Sequence, residues 1–194
     1  MQFQEAKRFI LKKLRKELPT LLSYHSVEHV KDVYRAAKSI GKKEGISAEE
    51  MDLLLTAALF HDAGFLVGPR EHEHQSCEIA RKHLPDFGYQ PQQIESICGM
   101  IMATKIPQTP HNLLEQIICD ADLDYLGRDD FWEIGYKLFE ELAVYGIISN
   151  ENDWNKLQIK FLESHDYFTQ TAIRLRKQKK LEHLEQIKSK TVLA

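Results

Sequence analysis

Ser47-Ala-Glu-Glu-Met-Asp-Leu-Leu-Leu-Thr-Ala-Ala-Leu-Phe-His-Asp62 reads as one helix that is apolar on nearly all sides. Ser47 and Glu50 have the spacing of a capping box, in which each side chain satisfies a backbone N–H at the helix start. A helix with no polar face belongs at the centre of a helical fold. Asp62 falls seven residues after Leu55 and four after Ala58, so it continues the buried stripe. A carboxylate buried alone costs several kcal/mol, so it needs compensation. His61 beside it points to a divalent cation, which Asp and neutral His both suit. An Arg partner or a helix-end cap would serve as well, and position alone leaves the choice open.

Outward from this centre, apolar residues recur at helical spacing, and strict alternation is absent beyond a few residues. Helices are expected from Phe3 to Leu18, from about Ser26 to Gly45, and over about 71–84, 91–104, 112–125 and 130–145. A long last helix is expected from about Asp153 to Lys188, and a loop from Gly64 to Arg70. Gly (9) and Pro (6) are scarce, and there is neither a Gly- or Ser-rich linker nor an internal repeat. The expectation is one all-α domain over residues 1–194.

With 26 Lys and Arg against 29 Asp and Glu, the net charge is −3, which gives no general attraction to nucleic acid or to anionic membrane. The basic run Arg174–Lys180 is expected to be a solvated helix face. No apolar run reaches the roughly 18 residues of a membrane span. Met1-Gln-Phe-Gln-Glu-Ala-Lys-Arg8 lacks the layout of a signal peptide. Cys77, Cys98 and Cys119 lack metal-ligand spacing and read as reduced, buried thiols. A cytoplasmic protein is expected.

Two further segments carry chemistry. His25 and His29 are four residues apart and can share a helix face, but Ser26 stands where a zinc protease needs Glu. In Cys119-Asp-Ala-Asp-Leu-Asp124 three acids alternate. Counted from Asp120, a calcium loop would need Gly and Glu where Tyr125 and Phe131 stand, so that reading fails. Helical geometry does not say which of Asp120, Asp122 and Asp124 faces inward.

Taken together, Tyr24-His-Ser-Val-Glu-His-Val30, Leu59-Phe-His-Asp-Ala-Gly64, His72-Glu-x-x-Ser76 and Ala121-Asp-Leu-Asp-Tyr-Leu-Gly127 resemble the HD-domain superfamily of metal-dependent phosphohydrolases. The resemblance covers roughly Ser23 to Arg128. It implies a compact multi-helix bundle with a core at about 23–130, C-terminal helices at 130–190 packed on it, and a metal between core helices. By that match His29, His61, Asp62 and Asp122 are the metal ligands, and the Ala-Asp dipeptide singles out Asp122. Related cyclic-nucleotide phosphodiesterases carry a similar segment around His25, which implies that His25 is the general acid. Binuclear members supply further His ligands near His72 and near Ala103-Thr104-Lys105. Only His72 is present, which implies one divalent ion (Mn, Fe, Co, Ni, Zn or Mg). A nucleotidase branch has Glu where Phe65 stands, and the Gly-Tyr-Pro of cyclic-di-nucleotide hydrolysis is absent.

Glu73 and His72 could support the site from outside or join a second metal. Lys105, Arg128 and Arg70 could hold substrate phosphate, although ion pairing is the commoner use of such residues. Of the remaining histidines, His165 is the one to watch. The implied activity is hydrolysis of a phosphate ester, of a nucleotide or similar small metabolite, by metal-activated water. A metal-containing regulatory module that senses a nucleotide without turnover is the alternative.

Overall fold

The computed structural model describes residues 1–192, with side chains through residue 190, so the last two positions of the expected domain lie outside the described residues. Every regular element among them is helical: α1 (Phe3–Glu17), α2 (Val27–Glu44), α3 (Ala48–Phe60), α4 (His72–His83), α5 (Pro91–Ala103), α6 (Leu113–Asp122), α7 (Phe131–Val144), α8 (Glu151–Ser164) and α9 (Gln170–Val192). Short 3-10 turns at Ala63–Leu66, Leu84–Phe87 and Asp124–Gly127 follow α3, α4 and α6. These turns take up the last residues of the helices expected over 71–84 and 112–125, and the first of the loop expected from Gly64.

The hub is α3. Its capping box forms, with Glu50 N–H donating to Ser47 Oγ at 3.2 Å and Ser47 N–H to Glu50 Oε2 at 2.8 Å. All of Leu53–Phe60 is buried, and α1, α2, α4, α5 and α6 pack around it. Burying each large aliphatic side chain there contributes roughly 1.5–3 kcal/mol. On α2, Val30, Val33, Ala37 and Ile40 are buried, and the helix ends at Gly45, whose φ of 75° disfavours any residue with a Cβ. A smaller core brings Tyr24, Leu123, Leu126, Phe131, Leu162 and Leu184 together under α7, α8 and α9.

The long last helix expected from Asp153 to Lys188 is two helices, α8 and α9, parted at His165–Thr169. Residues far away in sequence hold the break. Asp120 accepts the N–H groups of Phe168 at 2.9 Å and Thr169 at 2.8 Å, and Glu44 accepts Thr171 N–H at 2.9 Å. Thr169 Oγ1 then caps α9 by accepting Ala172 N–H at 3.1 Å. The basic run on α9 is also only partly solvated. Arg176 bonds Asp124 at 2.7 and 3.1 Å, and buried Lys180 donates to the carbonyls of Leu162 and His165. All three cysteines are free and buried. No helix among the described residues is long and apolar enough to cross a membrane.

Candidate metal centre

Three helix ends bring four expected ligands together. His29 lies in the first turn of α2, where its N–H donates to the capping Ser26 Oγ at 3.4 Å. His61 and Asp62 follow the last residue of α3, and Asp122 is the last residue of α6. Asp122 Oδ1 lies 3.1 Å from His29 Nε2 and 3.4 Å from His61 Nε2, and the two nitrogens are 3.3 Å apart. Asp62 Oδ2 approaches the same nitrogens at 3.3 and 3.1 Å.

This donor set fits a divalent ion on three counts. Asp62 Oδ2 is buried with no hydrogen-bond partner among the described residues, and such an atom is costly unless something positive satisfies it. His61 Nδ1–H donates to the Ala58 carbonyl at 3.0 Å, which leaves Nε2 turned toward the cluster, where it can coordinate once deprotonated. Charge also favours a cation. Burial alone would lower His29, yet the Asp122 and Asp62 carboxylates beside it raise it to about 9. Burial likewise opposes the charged form of His61, and the same carboxylates hold it well above its ordinary value. Asp62 and Asp122 stay below the usual carboxylate range despite burial, because the imidazoles face them. Protons on the rings do for the two carboxylates what a cation of borderline hardness would do better.

The turn that carries His61 and Asp62 is anchored from α4. Ser76 Oγ donates to the His61 carbonyl and accepts Gly64 N–H at 2.8 Å. Gly64 is needed there, because a Cβ would sit 1.9 Å from the His72 carbonyl oxygen.

His25 stands beside the cluster and is clamped by a residue the sequence reading missed. Glu141 of α7, 2% exposed, accepts from His25 Nδ1 through Oε1 and from the N–H groups of Tyr24 (2.9 Å) and His25 (3.0 Å) through Oε2. Burial pushes the Glu141 carboxyl up, but the His25 ring and these N–H donors bring it below its ordinary value. A signal of its burial, though not of its partner, was present, since Glu141 falls on the helical stripe of Leu138 and Leu142 just as Asp62 continues that of Leu55 and Ala58. Phe65, where the nucleotidase branch has Glu, stacks on His25 at 4.1 Å between ring centres and packs against His72 at 4.4 Å.

The remaining expected residues divide. His72 Nε2 lies 3.6 Å from Asp62 Oδ1 and 3.5 Å from Glu73 Oε1, and His72 and Glu73 line the same cavity as His25, Asp62 and Asp122. Thr104 occupies the wall near which binuclear relatives place a second histidine. Lys105 and Arg128 line other pockets. Lys105 pairs with Glu71 at 2.9 Å, and Arg128 with Asp32 at 2.8 Å, Asp130 at 2.7 Å and Asp124 at 3.4 Å. Arg70 is exposed.

Fold and site define an all-helical protein with a buried histidine–aspartate centre suited to a metal. The sequence pattern of the HD domain matches residues 26–124, just over half of the chain, and the chain belongs to that family of metal-dependent phosphohydrolases. No curated protein matches it. Among solved structures its fold is similar to that of a predicted HD superfamily hydrolase from an uncultured Thermotogales bacterium, at 20% identity over 94% of this chain and 89% of that one, TM-score 0.63. It is also similar to Bacillus subtilis YpgQ in complex with ADP (17% identity, 97% of each chain, TM-score 0.66). A Lactobacillus plantarum protein shares 17% identity over 100% of this chain and 98% of its own, TM-score 0.66.

Proposed function

We propose that the chain hydrolyses a phosphate ester of a nucleotide or similar small phosphorylated metabolite in the cytoplasm, with one divalent ion held by His29, His61, Asp62 and Asp122. The observation that carries this reading is the unpartnered Asp62 Oδ2 inside the His/Asp cluster, with the clamped His25 on the same cavity wall. The ADP bound by YpgQ supports a nucleotide. A bound divalent ion supplies Lewis-acid chemistry: it lowers the pKa of a water ligand and offsets phosphoryl charge.

The chain's own residues do the rest. His61, locked by the Ala58 carbonyl, and Asp62, locked through Ser76, keep the donor atoms converged before substrate arrives. Glu141 holds His25 Nδ1 and so leaves Nε2 to carry the proton that His25 gives to the departing oxygen. Phe65 fixes the plane of that ring and excludes water from one of its faces.

Elemental analysis, metal titration and phosphate release from monophosphates, cyclic nucleotides, triphosphates and oligonucleotides, with and without chelator, test the reading. About one ion per chain and chelator-sensitive turnover of small esters are expected. His25→Ala should keep the metal and lose roughly 10²- to 10⁴-fold in kcat, with a smaller loss for nitrophenyl phosphate, whose leaving group needs no proton. Failure to take up any metal, or turnover confined to oligonucleotides, overturns it. Tight nucleotide binding without turnover would establish the regulatory module instead.

A further inference from the structure

The cavity that holds Asp62 and Asp122 does not end at the cluster. It encloses about 430 Å³ and continues between the 3-10 turn at 124–127 and the pair α7 and α8, where Leu126, Phe131, Leu138, Leu142, Trp154 and Phe161 form its walls. Among the described residues the single amide in this arm belongs to Gln158, whose Nε2 donates to Asn155 Oδ1 at 3.4 Å. Among the described residues no Lys or Arg lines the cavity, while Asp62, Glu73 and Asp122 do.

Two consequences follow from the charges and the apolar area. One divalent ion can take one phosphoryl group as a ligand, and the three carboxylates already outweigh its charge. Each further phosphate would lie among carboxylates with no Lys or Arg to pair it. The arm favours whatever covers its apolar wall and takes it out of water. With the phosphoryl group at the cluster, the alcohol half of an ester has the arm to enter, and its bridging oxygen then lies on the side of His25.

On the phosphohydrolase reading above, we propose that this arm selects the alcohol: the substrate is a monophosphoryl ester with an aromatic or similarly apolar body, a nucleobase included. Polyphosphates and bare sugar phosphates are then the poorer substrates. Specificity then resides in α7 and α8, outside the residues of the metal motif.

The test separates the arm from the chemistry. In a Trp132→Phe background, Trp154 emission is followed as 1-naphthol, an uncharged probe, is added to metal-free protein. A saturable change is expected, lost in Leu142→Arg and weakened in Phe161→Ala, with melting curves showing that each variant is folded. With metal, kcat/KM for 1-naphthyl phosphate and for AMP should exceed that for glucose 6-phosphate and for ATP by about tenfold or more, as burial of one ring predicts. Leu142→Arg should remove that preference. No naphthol signal, or equal turnover of glucose 6-phosphate or ATP, overturns the proposal while leaving the phosphohydrolase reading intact. A naphthol signal with no phosphate released from any substrate marks the failure of that reading instead.

Discussion

Glu141 divides its two oxygens between a ring and a turn, and that division makes a conservative change informative. A Gln there must aim its NH₂ either at the Tyr24 and His25 N–H groups, which then lose their acceptor, or at His25 Nδ1, which must then accept instead of donate. Glu141→Gln is expected to lower kcat roughly 10- to 100-fold, the usual worth of a residue that orients another, with metal content retained. The double variant with His25→Ala should be little worse than His25→Ala alone, because residues that act as a unit are not additive. Full additivity would show that Glu141 acts by some route other than His25. The three alternating acids show the same economy. Asp120 anchors Phe168 and Thr169, Asp122 meets His29 and His61, and Asp124 holds Arg176.

At the scale of elements, the centre depends on how closely α4 approaches the turn after α3. That approach is set by the missing side chain of Gly64, where an added Cβ meets backbone at 1.9 Å and nothing flexible can give way. Gly64→Ala should cost roughly 2 kcal/mol, a fall of about 4–8 °C in Tm, through the backbone shift it forces. Because that shift moves the turn bearing His61 and Asp62, metal retention after dialysis should drop with it. Gly68, four residues on, has open space around its Cβ position, so Gly68→Ala is the control and should leave Tm and metal within error. A Gly64→Ala protein as stable and metal-loaded as wild type would show that α4 does not anchor the centre.

Across the whole molecule, His165 at the junction of α8 and α9 adds an acid sensitivity of its own. His165 is buried there, edge-on to Tyr167 at 4.8 Å, with neither ring nitrogen hydrogen-bonded among the described residues. Burial, with Lys180 nearby, pushes it down from 6.5 to about 4. Above pH 6.5 folded and unfolded chains both hold the ring neutral, so it contributes no pH dependence. As pH falls below that, the unfolded chain takes the proton first, and stability is lost until about pH 4, by about 3 kcal/mol in all. In urea melts from pH 7 to 4.5, wild type should therefore lose stability faster than His165→Leu, which has no proton to take up. Parallel pH profiles would show that His165 does not control this loss.

How much of this was legible in the sequence follows from the range of the forces involved. The all-α class, the buried α3 and the capping box at Ser47 depend on residues a few positions apart, so spacing and burial pattern determine them. The convergence of His29, His61, Asp62 and Asp122 was legible only through the resemblance of their motifs, since no local rule distinguishes Asp122 from Asp120 and Asp124. The break after Ser164 was not legible, because the apolar spacing of α8 and α9 runs across it and the groups that hold it, Asp120 and Glu44, lie in α6 and α2. Nor was the clamp on His25, whose partner is 116 residues away. Sequence by itself determined that the chain is helical and which faces of α2 and α3 are buried. Tertiary structure decided which buried polar group meets which partner, because a desolvated carboxylate or imidazole is satisfied by whatever the packed helices bring within about 3 Å of it.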